Sequence, residues 1–360
     1  MHLDANQPLK VGLIGFGLAG QVFHAPTIRA VAGLDLACIV ERSGSLAQQK
    51  YPAIRVVHTV EELLADDSIR LCVVATPNAS HFEIAQRCLL AGRDVVVDKP
   101  FTITSAEAKE LIELAARQKR LLSVFQSRRW DGDFLTLRRL LDSGALGRLV
   151  EYESRYDRFR PQLKSGNFWR ESAAPGSGML YDLGPHMIDQ ALVLFGGPEG
   201  ITAELFMQRD AAKVDDAFDV RLHYPGLNVT LRCSMLACAA GPRYVLNGTH
   251  GSFVKYGMDP QEEKLRLTNA IAADGWGEDP EDQWGTLTSC DGENTSSQKV
   301  KTEPGDYRAF YANIRDAITH NAPLAVTPEQ AFRVIRAIEL AYQSSREKRT
   351  VPWNESPLRS

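Results

Sequence analysis

Three side chains of this 360-residue chain sit where they could manage a proton and an oxygen at a reacting carbon. Asp98-Lys99-Pro100 ends the apolar run Val95–Val97, which reads as a buried strand. Pro100 biases Lys99 toward an extended backbone. An ammonium at a strand end can hold a hydroxyl or polarise a carbonyl; the plainer alternative is a lysine snorkelling to solvent. Asp182 and His186 stand four residues apart in Tyr181-Asp182-Leu183-Gly184-Pro185-His186, with Asp189 one turn further on. Pro185 suits a first helical turn, and a spacing of four puts both side chains on one face. A carboxylate beside an imidazole orients the ring and favours its charged form. Such a pair can take an alcohol proton and return it in reverse. The plainer alternative is an N-cap aspartate with an incidental histidine.

A second constellation reads as a nucleotide site. Val11–Ile14 runs into Gly15-Phe16-Gly17-Leu18-Ala19-Gly20, a G-x-G-x-x-G placed where a strand turns into a helix. The first glycine permits the turn, the second a close approach by pyrophosphate, and the third helix–strand packing. The helix N-terminus then offers N–H groups to phosphate. Leu34–Val40 reads as the next strand and ends at Glu41, roughly the twenty residues past the motif expected of a ribose-binding acid. Glu41 favours NAD, whereas Arg42 and Ser43 favour the 2′-phosphate of NADP. Thr76-Pro77-Asn78-Ala79-Ser80-His81 follows the strand Leu71–Ala75, at the end of an α/β sheet where ligands bind. Arg128, Trp130, Tyr156, Arg160, Trp169 and Arg170 lie in clusters of polar and aromatic donors suited to a hydroxyl-rich ligand, although solvated faces carry similar clusters.

The elements that must position these groups follow from periodicity. Residues 10–126 alternate apolar strand runs with helical patterns such as Ser80–Ala91 and Ser105–Arg117, which predicts an α/β Rossmann domain over 1–127. Thr104 and Glu107 mark a helix start. Beyond it, Leu149–Tyr156, Gly200–Gln208, Ala217–Tyr224, Asn228–Met235 and Tyr244–Gly248 read as strands with few intervening helices. They predict an α+β domain over 128–360 on a mostly antiparallel sheet. A helix is expected from about Asp182 to Phe195, and two more near Asp306–His320 and Thr327–Arg346. Residues 257–305, polar with Trp276 and Trp284 embedded, read as a long surface excursion with two aromatic anchors, or else a lid or subunit contact.

Bulk properties narrow the class. A formal net charge of −4 gives no electrostatic footprint for nucleic acid or an anionic membrane. No apolar run is long enough to span a bilayer, and the first residues lack a secretory pattern. Six scattered cysteines read as reduced thiols of a cytoplasmic protein, with no pairing that suggests a metal.

Together these motifs resemble the Gfo/Idh/MocA family of NAD(P)-dependent oxidoreductases, from about Lys10 to Val351. Within it the chain is most similar to the NADP-dependent scyllo-inositol dehydrogenase branch. The marks of that branch are Val22-Phe23-His24, Arg128-Arg129-Trp130-Asp131, Tyr156-x-x-x-Arg160-Pro161 and Tyr256–Glu262. Asp98-Lys99-Pro100 stands where the family has Glu-Lys-Pro, a shorter acid of the same charge. The resemblance implies Lys99, Asp182 and His186 as catalytic groups. It implies cofactor contacts from the glycine loop, Thr76–Asn78, His81, Asp98, Trp169 and Arg170. It also implies an open sheet face used for assembly as a homodimer or homotetramer. The expected activity is hydride transfer between nicotinamide, NADP or NAD with a lean to NADP, and a cyclitol, polyol or sugar. The same chemistry run backwards would be a carbonyl reductase. A non-catalytic nucleotide-binding sensor on the same scaffold is the alternative, and the presence of all three catalytic groups speaks against it.

Overall fold

The computed structural model describes residues 7–164, 169–268, 271 and 275–354. The chain divides into two units. The first takes 1–130, 260–276 and 306–333; the second takes 131–259, 277–305 and 334–360.

In chain order the first stretch carries β1 (Leu9–Ile14), α1 (Ala25–Arg29), β2 (Leu34–Val40), α2 (Leu46–Lys50), β3 (Arg55–Val57), α3 (Val60–Leu64), β4 (Leu71–Val74), α4 (His81–Leu90), β5 (Asp94–Val97), α5 (Ser105–Gln118) and β6 (Leu122–Val124). The next carries α6 (Gly132–Asp142), β7 (Leu149–Asp157), α7 (Met179–Asp182), α8 (Gly184–Phe195), β8 (Gly200–Phe206), β9 (Ala217–Tyr224), β10 (Leu227–Ser234), β11 (Tyr244–Gly248) and β12 (Gly251–Lys255). Then come α9 (Gln261–Thr268), β13 (Gly285–Asp291), β14 (Asn294–Val300), α10 (Arg308–His320), α11 (Pro328–Glu347) and β15 (Val351–Pro352).

The first unit is built on a six-stranded parallel sheet of order β3-β2-β1-β4-β5-β6. Its central strands are buried end to end, as continuous valine-rich runs require when both faces are covered. The order reverses between β1 and β4, the switch point beside which ligands of open α/β sheets bind. Because every strand is parallel, the segments after β1, β2, β4 and β5 leave from one edge. The ladder continues one residue past each strand: Gly15 N donates to Val40 O (3.0 Å), Ala75 N to Ile14 O (2.8 Å) and Asp98 N to Val74 O (2.8 Å). Those loops therefore start from fixed positions. α5 begins with a reciprocal cap, in which Thr104 Oγ1 accepts from Glu107 N and Glu107 Oε2 from Thr104 N. A cap of this kind is worth about 1 kcal/mol.

The second unit is a nine-stranded sheet of order β14-β13-β12-β11-β7-β10-β9-β8-β15. All neighbours run antiparallel except the parallel pair β7 and β10. Period-two burial decides the faces. On β10, Val229, Leu231 and Cys233 are buried, while Asn228, Arg232 and Ser234 are not. α8 packs against β10 and α7 against β9. The opposite face is polar and tied by pairs such as Arg232 Nε with Asp219 Oδ2 (2.7 Å).

The described residues of 257–305, expected as a long surface excursion with two aromatic anchors or else a lid or subunit contact, carry regular elements. α9 joins the first unit, where Trp276 packs with Val22, Leu265 and Tyr307. β13 and β14 form a hairpin that extends the second sheet. β14 escaped notice because six of its seven residues are exposed, leaving no apolar alternation. Among the described residues no helix is long and apolar enough to cross a membrane, and no cluster of His, Cys, Asp or Glu could hold a metal.

Candidate active site

Within the first unit, the glycine loop is crowded at two positions and open at the third. Gly15 has φ +101°, and a Cβ there would lie 2.6 Å from Ala75 O. A Cβ on Gly20 would collide with Gly15 O, whereas one on Gly17 would meet nothing within 4 Å. Only glycine fits the first two for internal reasons. At Gly17 the open space lets a phosphate approach the backbone, so the loop fits a dinucleotide. Phe16, Leu18 and Ala19 complete it, with Phe16 O accepting from Gln21 Nε2 at 2.7 Å. The helix then passes through a π-helical turn, Gly20–His24, before α1.

That turn delivers a residue without a role in the sequence-based site. His24 is fully buried, with Nδ1 2.6 Å from Tyr311 Oη and Nε2 3.6 Å from Asp98 Oδ1. Asp98 Oδ1 also accepts from Lys99 N at 2.8 Å. Burial pushes the Asp98 carboxyl up, but His24, Lys99 and His81 outweigh it and hold it below the usual carboxylate range. Asp98 is thus a fixed negative charge at the base of Lys99.

His81, expected as a cofactor contact, links two loops. It is 0% exposed, with Nδ1 2.9 Å from Pro100 O and Nε2 2.8 Å from Thr76 O. The ring lies between the two carbonyls, donating to one of them when neutral, and so links the turn after β4 to the turn after β5. Burial lowers its pKa. Around it, Thr76 Oγ1 accepts from Ser80 Oγ (2.8 Å), Pro77 is the residue before a single 3₁₀ turn, and Asn78 is buried.

Glu41 is likewise turned inward. Its Oε1 accepts from Leu46 N (3.2 Å) and Oε2 from Ala47 N (2.9 Å), capping α2. Arg42 and Ser43 are exposed on the loop that this carboxylate braces. Arg128 is buried and ion-paired with Glu262 of α9, which also accepts from Arg266. Trp130, half-buried, meets the Phe310 ring edge-on at 5.9 Å.

Within the second unit, Asp182 ends α7 and His186 lies in the first turn of α8. The helix expected from about Asp182 to Phe195 is α8, preceded by the short α7, and the two meet at Leu183. The break follows from Pro185, which has no N–H to continue the first helix. Arg170 Nε lies 3.3 Å from Asp182 Oδ1, and His186 is 6% exposed. Asp189 is buried one turn on. The Trp169 side chain lies outside the described residues. Arg160 is exposed, its N–H on Met235 O at 2.7 Å.

Tyr156 faces inward. It is 1% exposed, and the Arg243 guanidinium lies 4.2 Å from its ring centroid. The ring is packed against that guanidinium inside the second unit. The signal was present in the sequence: Tyr152, Ser154 and Tyr156 share one face of β7, and all are buried.

Comparison with known proteins agrees with the fold. Residues 9–126 match the model of an oxidoreductase family's NAD-binding Rossmann fold, and residues 138–353 that family's C-terminal alpha/beta domain. The chain is 44% identical to the uncharacterised oxidoreductase YdgJ of Escherichia coli, over 95% of this chain and 98% of that one. It is 39% identical to the scyllo-inositol 2-dehydrogenase (NADP(+)) IolW of Bacillus subtilis, over 95% of each. The solved structure of YvaA from Bacillus subtilis superposes with a TM-score of 0.93 at 38% identity, covering 97% of this chain and 99% of that one.

Proposed function

The chain belongs to the Gfo/Idh/MocA oxidoreductase family, and on that premise we propose that it is a cytoplasmic, NADP-preferring dehydrogenase of a cyclitol, polyol or sugar. The observation that carries the proposal is the shared sheet edge. There the open face of Gly17 and the Asp98–Lys99 turn both leave the carboxyl ends of parallel strands.

Gly15, Gly17 and Gly20, with Thr76 to Asn78, would hold the dinucleotide. When bound, its nicotinamide supplies the hydride acceptor. Arg42 and Ser43 suit a 2′-phosphate, because guanidinium pairs with phosphate through two N–H groups. Lys99 holds the substrate oxygen and stabilises charge that develops on it. His186 takes the hydroxyl proton as hydride leaves the same carbon, and Asp182 orients the ring and favours its charged form. In reverse, His186 returns the proton to a carbonyl oxygen. Arg128, Trp130 and Arg160 are proposed near the remaining hydroxyls. The IolW relative, named for an inositol substrate and NADP, supports this substrate class. Assembly as a homodimer or homotetramer belongs to the same proposal.

The test is a screen of NADP and NAD reduction with inositols, sugars and sugar acids. Turnover with a polyhydroxylated alcohol is expected. Tight cofactor binding without turnover across the panel would favour the sensor instead.

A further inference from the structure

Two adjacent buried acids, neither assigned a role above, converge on the segment that carries Asp182. Asp215 is 8% and Asp216 1% exposed, immediately before β9. Asp215 Oδ2 accepts from Leu180 N at 2.7 Å, and its backbone oxygen from Met179 N at 2.9 Å. These are N–H groups of the first turn of α7, the short helix that ends at Asp182. Tyr342 Oη donates to Asp215 Oδ1 at 2.6 Å, and the Tyr342 ring stacks on Tyr181, 5.7 Å between centroids. Gly178, at φ +93°, has no room for a side chain, because a Cβ would collide with the Asp215 carboxylate.

Asp216 is linked to that segment indirectly, through Arg209. Its Oδ1 accepts from Gln208 N (2.7 Å), and its Oδ2 from Arg209 N (2.9 Å) and Arg209 Nε (3.0 Å). Arg209, 6% exposed, spends its other arm on Glu171 Oε1 at 3.0 Å. Glu171 is the neighbour of Arg170, which pairs with Asp182, and Arg170 O accepts from Gly178 N at 2.9 Å. Arg209 uses its planar fork to span two carboxylates, which a lysine could not reproduce.

We propose that Asp215 and Asp216 are positioning residues for Asp182, Asp215 through α7 and Asp216 through Arg209, Glu171 and Arg170. The inference rests on Asp182 and His186 being the catalytic pair. The geometry points to one joint role, since consecutive side chains of one loop hold the backbone before Asp182 and, through Arg209, the residue next to the partner of its carboxylate. Burial pushes the Asp215 carboxyl above its usual range, against the hydrogen bonds from Tyr342, Leu180 and Met179. The structure keeps a costly group where an uncharged residue would pack more simply.

The test measures kcat, the KM of each substrate, the NADP Kd and the melting temperature for Asp216→Asn, Tyr342→Phe and His186→Ala. Displacing a catalytic group by about 1 Å can cost ~10²-fold. Asp216→Asn is expected to lower kcat by roughly 10- to 100-fold with the NADP Kd unchanged. Tyr342→Phe keeps the ring and the Leu180 bond, so about a 3- to 10-fold loss in kcat is expected. A merely structural contact would lower the melting temperature and leave kcat of the folded protein intact. Wild-type kcat in folded Tyr342→Phe, or in folded Asp216→Asn, overturns the proposal while a dead His186→Ala keeps the catalytic pair. Wild-type kcat in His186→Ala overturns both.

Discussion

At the scale of single residues, two acids at strand ends show how position and availability differ. Glu41 stands where a ribose-binding acid belongs, yet both of its oxygens accept N–H groups from α2. In many such folds, removing this acid would relax a preference for NAD. Here the carboxylate braces the loop that displays Arg42 and Ser43, so Glu41→Ala is expected to raise the KM for NADP instead. Arg42→Ala should raise it too, while sparing NAD. Steady-state kinetics with both cofactors checks the pair, and a gain of NADP affinity in Glu41→Ala would show the acid facing the ribose after all. The glycine loop and the three catalytic candidates were legible in the sequence because each sits in a short motif with its own local reason. The inward turns of Glu41 and His81 were not, because Glu41 is held by backbone N–H groups, which no side-chain pattern marks, and His81 in part by Pro100 of another turn.

At the scale of elements, α9 is fastened by charge. Burial pushes the Glu262 carboxyl up, but Arg128 and Arg266 outweigh it and hold it at about 2, against an ordinary value of 4.5. The sign follows from linkage: a depressed folded pKa adds stability above the unfolded pKa and loses it as pH falls through the folded one. At 1.36 kcal/mol per unit, the shift corresponds to about 3 kcal/mol, fading between about pH 4.5 and 2. Glu262→Gln should flatten that acid limb in urea unfolding measured against pH. An unchanged slope would mean the pair contributes nothing net. The same scale shows where sequence periodicity failed. β1, β2, β4 and β5 were readable because a doubly covered parallel strand is apolar throughout. β14 is exposed along nearly all its length, so only its pairing with β13 defines it. The Asp215–Tyr342 contact joins residues 127 apart, beyond any local pattern.

At the scale of the whole molecule, the chain leaves the first unit and returns to it twice, through α9 and then α10 with the start of α11. Cofactor binding should therefore steady segments distant in sequence. A ligand present at 100 times its Kd stabilises the folded state by about 2.7 kcal/mol. Hydrogen exchange should slow at Gly15–Gly20, Arg42–Ala47 and Thr76–Asn78 when NADP is added. Unchanged exchange at all three would place the nucleotide elsewhere. The proposed function stands on one chemical step, in which a single histidine moves the proton while hydride leaves the same carbon. The decisive quantity is kcat of His186→Ala, beside wild type, on the best polyol found and with NADP binding measured in parallel. A loss of about 10²- to 10⁴-fold in kcat with NADP affinity retained is expected. Undiminished turnover would contradict the step.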